Sequence, residues 1–157
     1  MRRLEEACQI LKALWTEKRA TVEGTYYQVR EAFHEPKPVH KPHPPIVLGT
    51  SGEKVGLRIT ARHAQEWNMS KGTPAEFRRL SEMLDGYCRE AGRDPAEIQR
   101  SIQFGADALQ NGADALVKLS REFVEAGATH LIYTCPIPYS AAGARRIWSE
   151  VVTPLRA

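Results

Sequence analysis

Apolar residues along this chain switch repeatedly between helical and extended spacing, and these switches predict the order of its secondary structure. Up to about Thr16 the apolar positions recur every three or four residues, which predicts a helix with one apolar stripe. That stripe consists of Leu4, Ala7, Cys8, Leu11, Leu14 and Trp15. Two short extended pieces around Gly24 predict a hairpin, and residues 36–45 are rich in proline. Because proline fixes φ and removes a donor, we expect residues 20–45 to form an insertion and an ordered, non-helical connector.

Four strands are predicted after this connector, and a helix is predicted after each. The strands lie at residues 46–49, 66–69, 98–106 and 130–134, and the helices at 53–64, 73–92, 111–127 and from 140 onward. The clearest helix start is Thr73-Pro74-Ala75-Glu76, in which Thr73 is the N-cap and the glutamate completes a capping box. The last helix is expected to direct five apolar residues inward: Ala144, Ile147, Trp148, Val151 and Leu155.

This alternation of strands and helices predicts an α/β fold with a parallel sheet and helices outside it. Four units suffice for a small open sheet or for half of an eight-stranded barrel, whereas a complete (β/α)₈ barrel needs about 250 residues. With 157 residues, the chain is expected to form a single domain, residues 1–157. No strand precedes the first helix, so we expect that an N-terminal part is missing.

Composition and charge exclude several classes of function. The net charge of +3 comes from 22 basic and 19 acidic residues, a balance that does not indicate a nucleic-acid partner. No apolar run approaches the roughly 20 residues that a membrane span needs, and the N-terminus lacks the apolar region of a signal peptide. Three widely spaced cysteines, Cys8, Cys88 and Cys135, argue against a disulfide framework. We therefore expect a cytoplasmic protein without membrane or nucleic-acid partners.

The strongest chemical signal is the small-residue loop that ends the first strand of the predicted sheet. Glycines that adopt positive φ let an anion approach the backbone, hydroxyl groups add donors, and a helix N-terminus presents unpaired N–H groups. The loop supplies all three features within six residues: Gly49, Thr50, Ser51, Gly52, Glu53 and Lys54. A phosphate site and an ordinary tight turn between strand and helix are equally compatible with these residues alone.

Other candidate residues carry weaker signals. Trp67 and Asn68 lie at a predicted strand end, where chemistry is placed in barrels, although a core tryptophan and a turn asparagine are the alternative. The histidines His34, His40 and His43 lie in a proline-rich interval without a nearby cysteine, so no metal site is expected. No nucleophile with a paired base can be identified, and the catalytic residues stay unknown.

Several of these segments together resemble one enzyme family. The run from Pro42 to Lys54, followed by Leu57-Arg58 and Ala61-Arg62, resembles the luciferase-like monooxygenase family, and particularly its deazaflavin-dependent branch. The segment Ala64-Gln65-Glu66-Trp67-Asn68 resembles a strand that the family commonly writes Ala-Asp-Glu-Trp-Asn, although Gln65 departs from the acidic residue. The opening helix with Gly24-Thr25-Tyr26-Tyr27 and the run Gly92-Arg93-Asp94-Pro95 are also similar to family elements.

This resemblance implies a partial TIM barrel, in which about four C-terminal β/α units follow a helix and a small insertion. It implies an oxidoreductase or monooxygenase that transfers hydride through coenzyme F-420 (F420), with FMN as the alternative cofactor. The cofactor phosphate would then bind at Gly49, Thr50, Ser51 and Gly52, with the amides of Glu53 and Lys54 behind them. The implied partners are the cofactor, a small-molecule substrate, and either a second copy of the chain or a complementing N-terminal half-barrel. The alternatives are a non-catalytic fold remnant and a module that binds a phosphate ligand.

Overall fold

The computed structural model describes residues 2–135 and 137–156, so Met1 and Ala157, the ends of the predicted domain, lie outside it. In chain order the elements are α1 (Arg2–Thr16), β1 (Ala20–Glu23), β2 (Gln28–Ala32), β3 (Val47–Gly49), α2 (Gly56–His63), β4 (Glu66–Met69), α3 (Pro74–Glu90), β5 (Gln99–Phe104), α4 (Ala113–Glu125), β6 (His130–Tyr133), α5 (Ala141–Ile147) and α6 (Thr153–Arg156). Short 3₁₀ turns occupy Pro95–Glu97 and Ala108–Asn111, and a π-helical turn at Trp148–Val152 joins α5 to α6.

Strands β3 to β6 form a parallel sheet in chain order, and β1 pairs with β2 in a separate antiparallel hairpin. The register places Gly49 opposite Asn68, Asn68 opposite Ser101, and Ser101 opposite His130. Sequential order with right-handed crossovers puts the connecting helices on one face of the sheet. The predicted α/β fold with a parallel sheet is therefore confirmed, whereas the partial barrel stays a prediction.

The two faces of the sheet differ sharply in character. The helix-covered face is apolar and packs with α3 and α4 into the main core, whose larger members include Trp67, Met69, Phe77, Leu84, Ile102, Phe104 and Phe123. The alternate strand positions form what we call the open face: Val47, Gly49, Glu66, Asn68, Ser101, Gln103 and His130. Half of the Val47 surface is exposed there, and Gln103 and His130 are exposed as well. One face of the sheet is thus dry, and the other is largely polar and partly accessible, since Ser101 and Glu66 on it are buried.

Local capping signals position α3 as predicted. The Thr73 hydroxyl accepts a hydrogen bond from the Glu76 N–H at 3.2 Å, and Pro74 is the first helical residue. One side of the helix is fully buried through Phe77 and Leu84. Because these signals need only neighbouring residues, the sequence alone located this element.

The predicted start of α2 at Glu53 is wrong, because the helix begins at Gly56. Residues 53–55 form a turn, and Val55 is exposed instead of contributing to the apolar side. The N-cap residue is Val55, which makes no side-chain capping bond, and the Glu53 carboxylate accepts a hydrogen bond from Arg79 of α3 at 2.7 Å. Strand β5 is likewise shorter than predicted at both ends. A 3₁₀ turn precedes it, and the Ala108 N–H bonds the Gly105 carbonyl to begin the next turn.

Three of the predicted apolar positions on helices named above are exposed. Trp148 was predicted to face inward, but it is 55% exposed and lies beside the Arg156 guanidinium. A π-helical turn begins at Trp148, and Ile147 and Val151 on either side of its start are buried as predicted. Trp148 and Ala144 face outward. Leu11, predicted for the apolar stripe of α1, is also exposed. Within the described residues, none of the helices has the length and apolarity to cross a bilayer.

Acidification is expected to destabilise the contact between α1 and α2 through His63. Burial, reinforced by the Lys12 charge, lowers the pKa of this imidazole, although Glu5 acts to raise it. Its Nδ1 atom is buried without a hydrogen-bond partner among the described residues. Since the unfolded state then binds more protons, stability falls as the pH drops below the ordinary histidine pKa of 6.5 toward the lower folded value.

Urea denaturation across pH 7.5 to 5 checks this expectation. The His63→Gln variant is expected to show a flatter loss of stability on acidification than the wild type. His40→Gln, which changes an exposed histidine of the connector, is the control and should keep the wild-type profile. If the stability of the wild type and of His63→Gln fell in parallel with pH, the assignment of this pH dependence to His63 would be contradicted.

Candidate functional site

A pocket of about 230 Å³ opens at the carboxyl ends of β3 and β4. Because the two strands are parallel neighbours, the loops that follow them lie side by side, which is where open α/β sheets bind ligands. The lining residues come from both loops: Gly49, Thr50, Ser51, Asn68, Met69, Ser70 and Lys71. The volume is below the roughly 300–1,000 Å³ of pockets that enclose a whole drug-sized ligand. The pocket therefore suits one group of a larger ligand.

The loop after β3 is shaped by hydrogen bonds at Thr50. Its hydroxyl accepts the Gly52 N–H at 3.1 Å, and its carbonyl accepts the Trp67 indole N–H at 2.7 Å. The Leu57 N–H then bonds the Gly52 carbonyl at 3.0 Å, which joins the loop to the first turn of α2. Thr50 is thus committed to holding the loop, whereas Ser51 lines the pocket and is exposed to a ligand.

The structure brings only part of the predicted loop to the pocket. Gly49, Thr50 and Ser51 line it, and Gly52, Glu53 and Lys54 do not. The Glu53 side chain instead faces α3, where the hydrogen bond and charge of Arg79 hold the pKa of its carboxyl below the usual range. A role of these three residues in holding the cofactor phosphate stays a prediction.

Asn68 lines the pocket from β4, while Trp67 lies on the opposite face of the same strand. The Asn68 side-chain amide donates to the Ser101 hydroxyl at 2.9 Å, so β5 fixes its orientation. Trp67 is completely buried, and its ring centroid lies 5.1 Å from that of Phe77. Successive residues of a strand point to opposite faces, and the pair is therefore divided between the pocket and the core.

Sequence reasoning missed the second loop of the pocket. Ser70 and Lys71 follow β4 directly and line the pocket, and Lys71 carries a cationic side chain. The sequence contained a signal for this loop, because Ser70 and Lys71 directly follow β4, which was predicted to be a strand of the parallel sheet. Hydroxyl groups, an amide and an ammonium group together form a donor set that fits an anion such as phosphate.

A carboxylate–imidazole pair crosses the open face beside the pocket. The His130 Nδ1 atom lies 3.0 Å from Glu66 Oε1, and the pair spans from β4 to β6 across β5. The intervening Ser101 is small enough to leave room for it. Neither member lines the pocket. In the part of the chain that the structure describes, no group of three or more His, Cys, Asp or Glu residues is arranged to hold a metal ion.

Comparisons with known proteins give a consistent result. A family model described as luciferase-like monooxygenase matches residues 1–153. An F420-dependent glucose-6-phosphate dehydrogenase of Microbacterium testaceum is 36% identical over 103 residues, which cover 64% of this chain and 30% of that protein. An FMNH(2)-dependent dimethylsulfone monooxygenase of Pseudomonas putida is 32% identical over 75 residues, covering 48% of this chain and 20% of that protein.

Solved structures show the same fold. An F420-dependent secondary alcohol dehydrogenase in complex with an F420–acetone adduct superimposes with a TM-score of 0.80 at 19% identity. The coenzyme F420 dependent tetrahydromethanopterin reductase from Methanopyrus kandleri gives a TM-score of 0.71 at 16% identity. In both comparisons the match covers 97% of this chain and 61% of the solved chain. The chain therefore spans less than two thirds of these proteins, and less than one third of the two curated relatives named above.

Proposed function

The chain belongs to the luciferase-like monooxygenase family, and on that premise we propose that it forms the cofactor-phosphate-binding part of an F420-dependent oxidoreductase. The observation that carries the proposal is the pocket between the loops after β3 and β4, with its hydroxyl, amide and ammonium donors. F420 is preferred because the names of one curated relative and two solved structures include it. FMN is the alternative, since another relative is FMNH(2)-dependent.

The division of labour in such a site follows from chemistry. The bound cofactor accepts or donates the hydride, and the protein supplies binding, orientation and exclusion of water. In this chain, Ser51 and Asn68 would donate hydrogen bonds to a cofactor phosphate, and Lys71 would neutralise its charge. The reacting ring and the substrate would lie above the open face. That the substrate is a small molecule and that the protein is cytoplasmic both stay predictions.

The open face and the sheet edges support a further part of the proposal, an assembly partner. Strands β3 and β6 are the two edges of the sheet, and exposed edges promote pairing with other chains. We expect either a second copy of the chain or an N-terminal half-barrel to cover them. Light scattering of the purified chain is expected to show a dimer or larger assembly. A monodisperse monomer, unchanged by an added N-terminal half from a relative, would contradict this expectation.

Cofactor binding tests the central proposal. The purified chain is titrated separately with F420 and with FMN, and cofactor fluorescence is followed. Saturable binding of F420, with weaker or no binding of FMN, is the expected result. Stronger binding of FMN would move the chain to the FMN-dependent branch. If the folded protein binds neither cofactor, the proposed cofactor role fails, and the fold-remnant alternative is favoured.

A further inference from the structure

Trp67 lies behind the pocket, where its indole contacts the loop and not the ligand space. We propose that Trp67 is a positioning residue, which orients the Thr50–Ser51 peptide so that the loop after β3 presents an amide to the anion. This inference rests on the proposed function, because the bound anion is taken to be the cofactor phosphate. The sequence left Trp67 open as either an active-face candidate or a core tryptophan, and its complete burial matches the second of these.

The indole is a rigid donor. Trp67 is completely buried, and its ring packs at a 31° tilt against Phe77 of α3. An indole has one N–H and no acceptor, so a buried tryptophan needs one partner in one direction. That partner is the Thr50 carbonyl at 2.7 Å, across 17 residues of sequence. The packed core therefore fixes the direction in which this carbonyl points.

The orientation of one peptide group follows from that bond. In a planar trans peptide the C=O and the following N–H point in opposite directions. Because the Thr50 carbonyl is directed toward the buried indole, the Ser51 N–H is directed away from the core. Ser51 is exposed and lines the pocket, so its amide is turned toward the accessible side. The indole thus sets the direction of a backbone donor that Trp67 itself does not touch.

A second hydrogen bond in the loop explains why the Ser51 amide, and not the neighbouring Gly52 amide, is the donor available to the anion. The neighbouring Gly52 N–H is already donated to the Thr50 hydroxyl at 3.1 Å. Without the indole, the Thr50 carbonyl would lack its buried partner and the peptide could rotate. Rotation would replace a donor by a carbonyl oxygen on the side of the anion, which would repel the ligand. Trp67 accordingly affects ligand affinity by pre-organising the loop.

The first test compares Trp67→Phe with the wild type in F420 binding. Phenylalanine keeps a smaller aromatic ring beside Phe77 and removes the indole N–H together with part of the buried ring volume, so a loss of core packing accompanies the loss of the donor. The loss of one pre-organising hydrogen bond is expected to raise the Kd for F420 by about tenfold. Inorganic phosphate, used as a competitor, should show the same loss. Trp148→Phe, at an exposed tryptophan, should leave both affinities unchanged.

A variant that lowers stability at a site away from the loop tests whether Trp67 has only a structural role. Val151 is completely buried near the end of the chain, so Val151→Ala lowers the Tm without touching the loop. If Trp67→Phe and Val151→Ala lower the Tm but neither raises the Kd, the positioning role is overturned. A Kd increase confined to Trp67→Phe supports it.

Amide hydrogen exchange followed by NMR gives a readout that needs no ligand. In the wild type, the Trp67 indole N–H should exchange far more slowly than that of exposed Trp148. In Trp67→Phe, the Gly52 amide should exchange at least about fivefold faster than in Val151→Ala. Fast exchange of the wild-type indole overturns the proposal even if Trp67→Phe does not fold. If the wild type binds no F420 but shows these exchange patterns, the cofactor assignment fails and the loop-positioning role stands.

Discussion

Replacing Arg100 by alanine is expected to lower the free energy of unfolding by about 3 kcal/mol, because the change breaks a buried charged network. Arg100 lies on the apolar, helix-covered face of β5, and its charged side chain is therefore only 8% exposed. Its guanidinium donates to Asp85 at 2.6 Å, to the Ser81 hydroxyl at 3.0 Å and to the Ile98 carbonyl at 2.8 Å. The variant would leave all three acceptors without this donor.

The network joins β5 to α3, and its geometry makes the arginine difficult to replace. Three groups in fixed positions match the planar fork of a guanidinium, which a lysine ammonium cannot reproduce. Asp85 is partly exposed and can recover some hydration, which keeps the expected loss at the lower end of the range for broken buried pairs. Arg100→Lys should therefore fall between the wild type and Arg100→Ala.

Urea denaturation of the purified protein measures these differences. Arg78→Ala is a matched control, since Arg78 belongs to an exposed part of α3 and donates one bond to the Glu125 carbonyl. It is expected to change the free energy of unfolding by no more than about 0.5 kcal/mol. If Arg100→Ala were as stable as Arg78→Ala, the buried network would not contribute to stability as its geometry indicates.

Local signals in the sequence were enough for most of the fold. The start of α3 depends on Thr73, Pro74 and Glu76, which are neighbours in the chain, and the structure reproduces it. The parallel pairing of the strands followed from the alternation of strand and helix patterns. By contrast, the predicted start of α2 was wrong, and Glu53 there pairs with Arg79, which is 26 residues away in the chain. A contact between residues so far apart produces no periodic pattern in the sequence.

The candidate site shows the same division between local and distant information. The loop after β3 was recognisable because its glycines and hydroxyl groups are consecutive. Ser70 and Lys71 join it only when β4 pairs beside β3, and the Glu66–His130 contact spans 64 residues. Whether Trp67 is buried depends on which face of β4 the helices cover. The alternation of apolar and polar residues along the four residues of β4 is too short to decide this. Pairing between elements, which a single sequence does not display, accounts for what was missed.

Reversing the charge of Lys71 is expected to weaken F420 binding by about 100-fold at low ionic strength. If the cofactor phosphate binds in this pocket as proposed, lysine would attract it, whereas glutamate at the same position would repel it. Because the site is open to solvent, the effect should become smaller as salt is added. Fluorescence titration of Lys71→Glu at two salt concentrations measures both the loss and its screening.

Lys18→Glu is the matched control for this variant. It changes the net charge of the protein by the same amount, and Lys18 is an exposed residue between α1 and β1 that does not line the pocket. Its effect on F420 binding should stay within about threefold, as expected for a charge that acts through solvent. Equal losses in the two variants would assign the effect to the overall field and not to a contact in the pocket. Wild-type affinity in Lys71→Glu would mean that the cofactor phosphate binds elsewhere, and the pocket between the two loops would then have to be abandoned as its site.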